Sequence, residues 1–271
     1  MDTKLNPSAA IVVLSGGQDS TTCLYWAKLK FDTVYAVSFD YGQRHIIELD
    51  CAVKIAIMAG VQHEVINVRN LLNSSSPLTS SEELEKYADY DSMAAKVGTN
   101  VERTFVPMRN TLFLTIAANR AIELGAGTIV TGICGEDNAN YPDCTNPFKL
   151  KLQAAFHESL FGERYADKPM PLQIAAPLMH MSKAETVRLA VTLPGCMEAL
   201  AYSHTSYDGK YPPTDMNHSN ILRAKGFEVA GVPDPLVLRA WAERVMELPE
   251  TANYDKCRNG ETYGYIYSGS V

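Results

Sequence analysis

The chain has 271 residues, with 24 Lys plus Arg against 31 Asp plus Glu, for a formal net charge of −7. Hydrophobic residues at 46% and charged residues at 20% are ordinary for a globular protein and exclude a disordered or low-complexity chain. The acidic balance argues against bulk nucleic-acid binding, which calls for a basic field, yet it permits an anionic ligand held by helix N-termini and a few local cations.

No stretch reaches the roughly 18 consecutive apolar residues of a membrane span. The apolar run near the start passes straight into Ser-Gly-Gly, so it reads as a buried strand rather than a signal peptide. Six cysteines (Cys23, Cys51, Cys134, Cys144, Cys196, Cys257) lack paired spacing and read as reduced thiols of a cytoplasmic protein.

Taken in order, Ala9–Leu14 predicts a strand, Gln18–Leu29 a helix and Val34–Phe39 a second strand. A helix from about Ile46 to Met58 follows, then a third strand over His63–Val68. The Ser-, Glu- and Asp-rich stretch from Asn70 to Asn100 reads as an excursion with one short helix. Asn110–Leu124 predicts a strong helix, and Thr128–Ile133 a fourth strand after a Gly-Ala-Gly turn. Strands separated by helices of this length predict an α/β fold, a parallel sheet with helices on both faces and the ligand at the carboxyl ends of the strands. Beyond Gly195 the composition turns to Tyr, Ser, His, Asn and Pro, with helical stretches near Ile221–Lys225 and Pro235–Met246. The expected division is an α/β core over residues 1–194 and a mainly helical C-terminal appendage over 195–271.

Leu14, Ser15, Gly16, Gly17, Gln18, Asp19 and Ser20 lie between the first strand and its helix. Two glycines permit close backbone approach, two serines offer hydroxyls, and free N–H groups at the helix start make an anion cradle. There is no Gly-Lys-Ser/Thr, so this is not a Walker loop. The string SGGxDS resembles the PP-loop of ATP pyrophosphatases, which cleave ATP between its α and β phosphates to adenylate a substrate.

Further strings follow in order: Ser38-Phe39-Asp40-Tyr41-Gly42-Gln43-Arg44-His45, Phe105-Val106-Pro107-Met108-Arg109-Asn110, Tyr141-Pro142-Asp143-Cys144, and Pro177-Leu178 with Lys183-Ala184-Glu185. Together they resemble the 7-cyano-7-deazaguanine synthase (QueC) family, from about residue 9 to residue 245. The resemblance implies an adenine nucleotide α-hydrolase-like sheet. It also implies an ATP- and magnesium-dependent ligase that converts 7-carboxy-7-deazaguanine and ammonia to the nitrile during queuosine synthesis. Asp19, Arg109 and Lys183 are then the expected catalytic residues. Leu14, Ser15, Gly16, Gly17, Asp19, Ser20, Phe39, Tyr41 and Gln43 would hold nucleotide. Arg44, His45, Asn110, Glu136, Tyr141 and Asp143 would meet the substrate, with Asp143 accepting hydrogen bonds from its guanine-like edge. Glu136 and Asp137 follow a strand end, where one could hold magnesium or both could be solvated loop acids.

The likeness breaks at the tail. The family carries four zinc cysteines, and Ser206, Thr214, Asn217 and Asn220 stand at those places. Such side chains offer no soft anionic donor, so zinc is expected to be absent unless His204, His218, Asp208 and Asp215 form a replacement site. Ala139-Asn140 stands where the family has Ser-Gly, Thr145 where it has Arg, and Met108 where it has Gly. Those changes keep open a ligase that joins the activated acid to another amine, such as a protein N-terminus in an anti-phage setting. A sulfur-transferring PP-loop enzyme of transfer RNA would want catalytic cysteines and a basic surface, which the charge of −7 disfavours, and a non-catalytic nucleotide-binding subunit is a further alternative. The expected partners are small molecules with a possible protein acceptor, no nucleic acid and no membrane, in a homodimer.

Overall fold

The computed structural model describes residues 5–43, 47–72, 74–79, 85–98, 100–135, 140–162, 172–205, 209–212 and 214–261. Five strands, β1 (Asn6–Val13), β2 (Thr33–Asp40), β3 (Gln62–Asn67), β4 (Ala126–Val130) and β5 (Gln173–Ala175), form one parallel sheet in the order β3-β2-β1-β4-β5. The chain steps outward from β1 to β3 and then returns to pair β4 on the other side of β1. That reversal opens a crevice at the carboxyl ends of β1 and β4, where open α/β sheets bind ligands.

Side chains alternate across a strand, so β1 serves two cores at once. Ala10, Val12 and Leu14 pack with Cys23, Leu24 and Ala27 of α1 (Gln18–Lys30) and with Ala52, Ile55 and Ala56 of α2 (Ile47–Ala59). Ala9 and Ile11 face the other way, onto Leu114, Ala117 and Ala121 of α4 (Arg109–Leu124) and Phe156 of α5 (Asn146–Phe161). Each fully buried side chain of Leu or Ile size contributes roughly 1.5–3 kcal/mol. Both faces of the sheet are therefore covered, as its continuous apolar strands require.

Several boundaries differ from the sequence reading. The Gly-Ala-Gly string is not a free turn. Gly125 closes α4 in the left-handed conformation (φ 69°), and β4 begins at the next residue. Gly127 lies inside β4 because a Cβ there would stand 2.9 Å from the Asn6 carbonyl oxygen on β1. The strand stops at Val130 rather than Ile133, although Thr131 still donates its N–H to Ala175. β5 has only three residues, too few to carry a period. Helix α5 is also additional, opened by Thr145, whose hydroxyl accepts from Phe148 N–H, with Pro147 in its first turn.

The excursion holds α3 (Tyr90–Val97), whose Met93 and Val97 pack on Ile221 and Leu222 of α8 (His218–Ala230). Helix α8 exceeds the expected Ile221–Lys225 at both ends, because Asn217 caps its start and Gly231 closes it at φ 70°. Helix α9 (Pro235–Ala242) stops short of Met246. Cys196, Met197 and Leu200 of α7 (Cys196–Leu200), together with Phe227 of α8, are buried in the same core as β1 and α1. A final helical turn, α10 (Asp255–Arg258), follows. No helix among the described residues is long and apolar enough to cross a membrane.

Candidate active site

The loop after β1 is organised by its own side chains. Ser15 N–H donates to Ser20 Oγ at 3.1 Å, the two hydroxyls meet at 2.9 Å, and Gly17 N–H donates to Ser15 Oγ at 3.3 Å. Gly16 has φ +85°, and a Cβ there would stand 2.2 Å from the Glu48 carbonyl oxygen and 2.9 Å from Ala52 N on α2. Only glycine fits both the torsion and the space. Gly132, beyond β4, is similarly tight: a Cβ would lie 2.9 Å from Ser20 N, so the turn after β4 abuts the start of α1.

Around this loop lies a cleft of about 300 Å³. First-turn residues of five helices line it: Gln18–Ser20 of α1, Glu48 and Leu49 of α2, Arg109 and Asn110 of α4, Lys183 of α6 (Lys183–Thr192), and His218 and Ser219 of α8. Helix N-termini carry partial positive charge and unsatisfied N–H donors, so their convergence suits a polyanion. Lys183 Nζ donates to Asp19 Oδ2 at 2.6 Å across 164 residues of sequence. The other Asp19 oxygen, Oδ1, is buried without a hydrogen-bond partner among the described residues, and so is Gln18 Nε2. Lys183 is held from behind: a Cβ on Gly226 of α8 would stand 2.8 Å from Lys183 Cβ. Ser182 and Glu185 close a reciprocal cap at the start of α6.

The second-strand string forms the aromatic wall. Phe39 stacks on Phe113 at 4.3 Å between ring centroids, and Tyr41 lies 5.4 Å from the same ring. Gln43 lines the cleft, but both ends of its amide serve the loop, accepting from Tyr41 N–H and donating to the Phe39 carbonyl. Leu14 is fully buried, and its N–H is spent on Val37.

Arg109 acts electrostatically on three groups. Its charge lowers the pKa of Tyr41, Glu48 and Asp143, but burial outweighs it each time: Tyr41 and Asp143 are raised, and Glu48 is pushed up to about 7. Asp143 is held by Asn110, whose N–H donates to Oδ2 at 3.4 Å and whose amide donates to the Asp143 carbonyl at 3.3 Å. The Tyr141 hydroxyl meets Thr104 Oγ1 at 2.6 Å. Arg44, His45, Glu136 and Asp137 lie outside the described residues.

Two of the departures have structural tasks. Asn140 donates to the carbonyls of Gly98 and Asn100, at 3.0 and 2.8 Å, and Thr145 caps α5. Met108, exposed, holds φ 65°, a left-handed torsion that glycine adopts without strain. Ala139 lies outside the described residues.

At the tail, Asn217 Oδ1 accepts from Asn220 N–H at 3.1 Å and from the Ser219 hydroxyl at 2.8 Å. Asn220 donates its amide to the Asp215 carbonyl at 2.8 Å, and Asp215 pairs with Lys86. Neutral amides already engaged with each other are a poor zinc set. Among the described residues no group of three or more His, Cys, Asp or Glu is arranged to hold a metal ion. Ser206 and Asp208 lie outside those residues. His204 and His218 line the cleft instead. Burial and the neighbouring Lys183 push His218 down to about 4, so its ring is neutral near pH 7. Glu48, Thr131, Gly132, Ser219 and Leu222 also line the cleft, and no local motif marks them.

Residues 9–231 match the family described as queuosine biosynthesis protein QueC. A 7-cyano-7-deazaguanine synthase of Laribacter hongkongensis is 45% identical over 239 residues, covering 88% of this chain and 98% of its own length. Proteins of the same name from Gloeobacter violaceus and Chromobacterium violaceum are each 46% identical, covering 84% and 86% of this chain and 94% and 95% of their own.

Proposed function

Because the chain belongs to the queuosine biosynthesis protein QueC family, we propose that it is an ATP-dependent 7-cyano-7-deazaguanine synthase, converting 7-carboxy-7-deazaguanine and ammonia to the nitrile. The observation that supports it best is the opening of five helix N-termini on a single cleft around Ser15–Ser20. A carboxylate resists amines until one oxygen becomes a good leaving group. Attack of that oxygen on the α-phosphate of ATP provides this and releases pyrophosphate. The protein's task is then to place the two anions together and offset their charge.

In this reading the loop N–H groups hold the departing pyrophosphate, and Lys183 balances charge on the phosphates with Asp19 aiming its ammonium. The purine of ATP lies along the Phe39–Tyr41–Phe113 wall. Asp143 accepts from the guanine-like edge, and Arg109, whose charge acts on both Asp143 and Tyr41, steadies the carboxylate being activated. Asp19 Oδ1, buried and without a partner among the described residues, fits a hard cation, so Asp19 would hold magnesium, which when bound supplies further charge neutralisation. A second ATP activates the amide oxygen, and its loss leaves the nitrile.

The test is mass spectrometry of products formed from ATP, magnesium, the acid and ammonium. Wild type is expected to make the nitrile, and Asp19→Ala to lose about 100-fold or more of the rate. Accumulation of amide alone, or no acid-dependent pyrophosphate release, would overturn the reading.

A further inference from the structure

The reaction places a demand on the cleft that phosphate and acid binding do not meet. An ammonium nitrogen carries four protons and a nitrile nitrogen none, so four protons must leave that atom. One leaves as ammonium becomes ammonia. A second goes when the C–N bond forms, the C–O bond to AMP breaks and the amide results. The last two go after the amide oxygen is adenylated, as the imidate forms and as the second AMP departs. Each AMP carries away one oxygen of the original carboxylate.

Glu48 is placed to serve this demand. It lies in the first turn of α2, and its carbonyl is packed against Gly16 so closely that no Cβ fits between them, which ties its backbone to the phosphate loop. Glu48 lines the cleft, and its carboxyl has no hydrogen bond among the described residues. Arg109 of α4 acts electrostatically on it and also on Asp143, the group that would hold the acid. The other ionisable groups around it are Tyr41 beyond β2, and Asp50 and Cys51 on its own helix. Arg223 of α8 and Arg239 of α9 act on Cys51 from the tail, and Asp19, Lys183 and His218 line the same cleft.

We infer that Glu48 is a catalytic base of the amine-transfer step, receiving protons shed by the nitrogen and passing them to solvent; the inference rests on the function proposed above. Burial holds this carboxyl near 7, where it both accepts and releases a proton at neutral pH. The wild-type transfer rate therefore rises with pH through about 7, as the carboxyl ionises.

The experiment separates the two half-reactions. Acid-dependent pyrophosphate release without ammonium reports adenylation, and nitrile formation with ammonium reports transfer. Glu48→Gln is expected to keep adenylation within about 3-fold of wild type and to lose about 100-fold in transfer at pH 7, the order of a general base. Expressed per free ammonia, the rate of that variant should lack the wild-type rise through neutrality, while its raw rate should recover much of the loss at pH 9, where free ammonia is abundant. Glu48→Asp, which keeps the carboxylate, should retain more transfer activity than Glu48→Gln. Unchanged transfer in Glu48→Gln, an equal loss of adenylation in both variants, or no recovery at pH 9 would overturn the assignment. Absence of acid-dependent pyrophosphate release from wild type would instead overturn the functional reading, and the assignment with it.

Discussion

At the scale of single residues, the phosphate loop shows how little freedom the chemistry leaves. Gly16 must turn left-handed at φ +85° while α2 passes directly over it, its Glu48 carbonyl where a Cβ would be. The loop can then present its N–H groups only if this position has no side chain. Gly16→Ala is expected to cost about 3 kcal/mol or more of unfolding free energy, read by urea denaturation, because it combines left-handed strain with a backbone clash. It should also abolish acid-dependent pyrophosphate release. Gly17, whose Cβ would meet nothing closer than 3.4 Å, offers the contrast within the same loop.

At the scale of elements, the site is made where helices meet. Helix α8 belongs to the tail, yet Gly226 on it lets α8 lie against the start of α6 and so fixes where Lys183 stands. Glycine in mid-helix normally costs roughly 0.5–1 kcal/mol relative to alanine. Helix propensity alone would thus favour Gly226→Ala. Packing opposes it, since the added methyl would stand 2.8 Å from Lys183 Cβ. We expect this variant to retain its helical circular dichroism while pyrophosphate release falls about 10-fold or more through displacement of the ammonium. A rise in stability with normal activity would show that α8 does not position Lys183.

At the scale of the molecule, the segments of the tail are fastened to one another by a buried ion pair. Arg223 Nε and Nη2 donate to the Asp234 carboxylate at 2.6 and 2.8 Å, and Nη1 donates to the Ser203 and Thr205 hydroxyls. Both side chains are about 95% or more buried. Asp234 also caps α9 through Leu236 N–H. Removing one partner leaves a buried charge uncompensated, which costs about 3–5 kcal/mol. Asp234→Ala is expected to lower stability by that order in thermal or urea unfolding, and to weaken nucleotide binding as well, since Thr205, Ser219 and Arg223 line the cleft. The Asn217–Asn220–Asp215 hydrogen bonds add to this fastening at the start of α8.

Much of this was readable from local strings. A strand, a Ser-Gly-Gly loop and a helix start lie within a dozen residues, and neighbours in sequence are bound to be neighbours in space. The same locality made β1, β2 and α4 recognisable, because each carries its own period and boundary. Signals failed where an element is too short to repeat, as in β5, or where its start rests on a single cap, as in α5. Partnerships across the chain lay beyond any local reading. Nothing near Lys183 specifies Asp19, and nothing near Glu48 says that burial would hold its carboxyl near neutrality beside Arg109. Those outcomes depend on which helix N-termini the parallel sheet gathers at one edge, and on how much water the gathered side chains exclude.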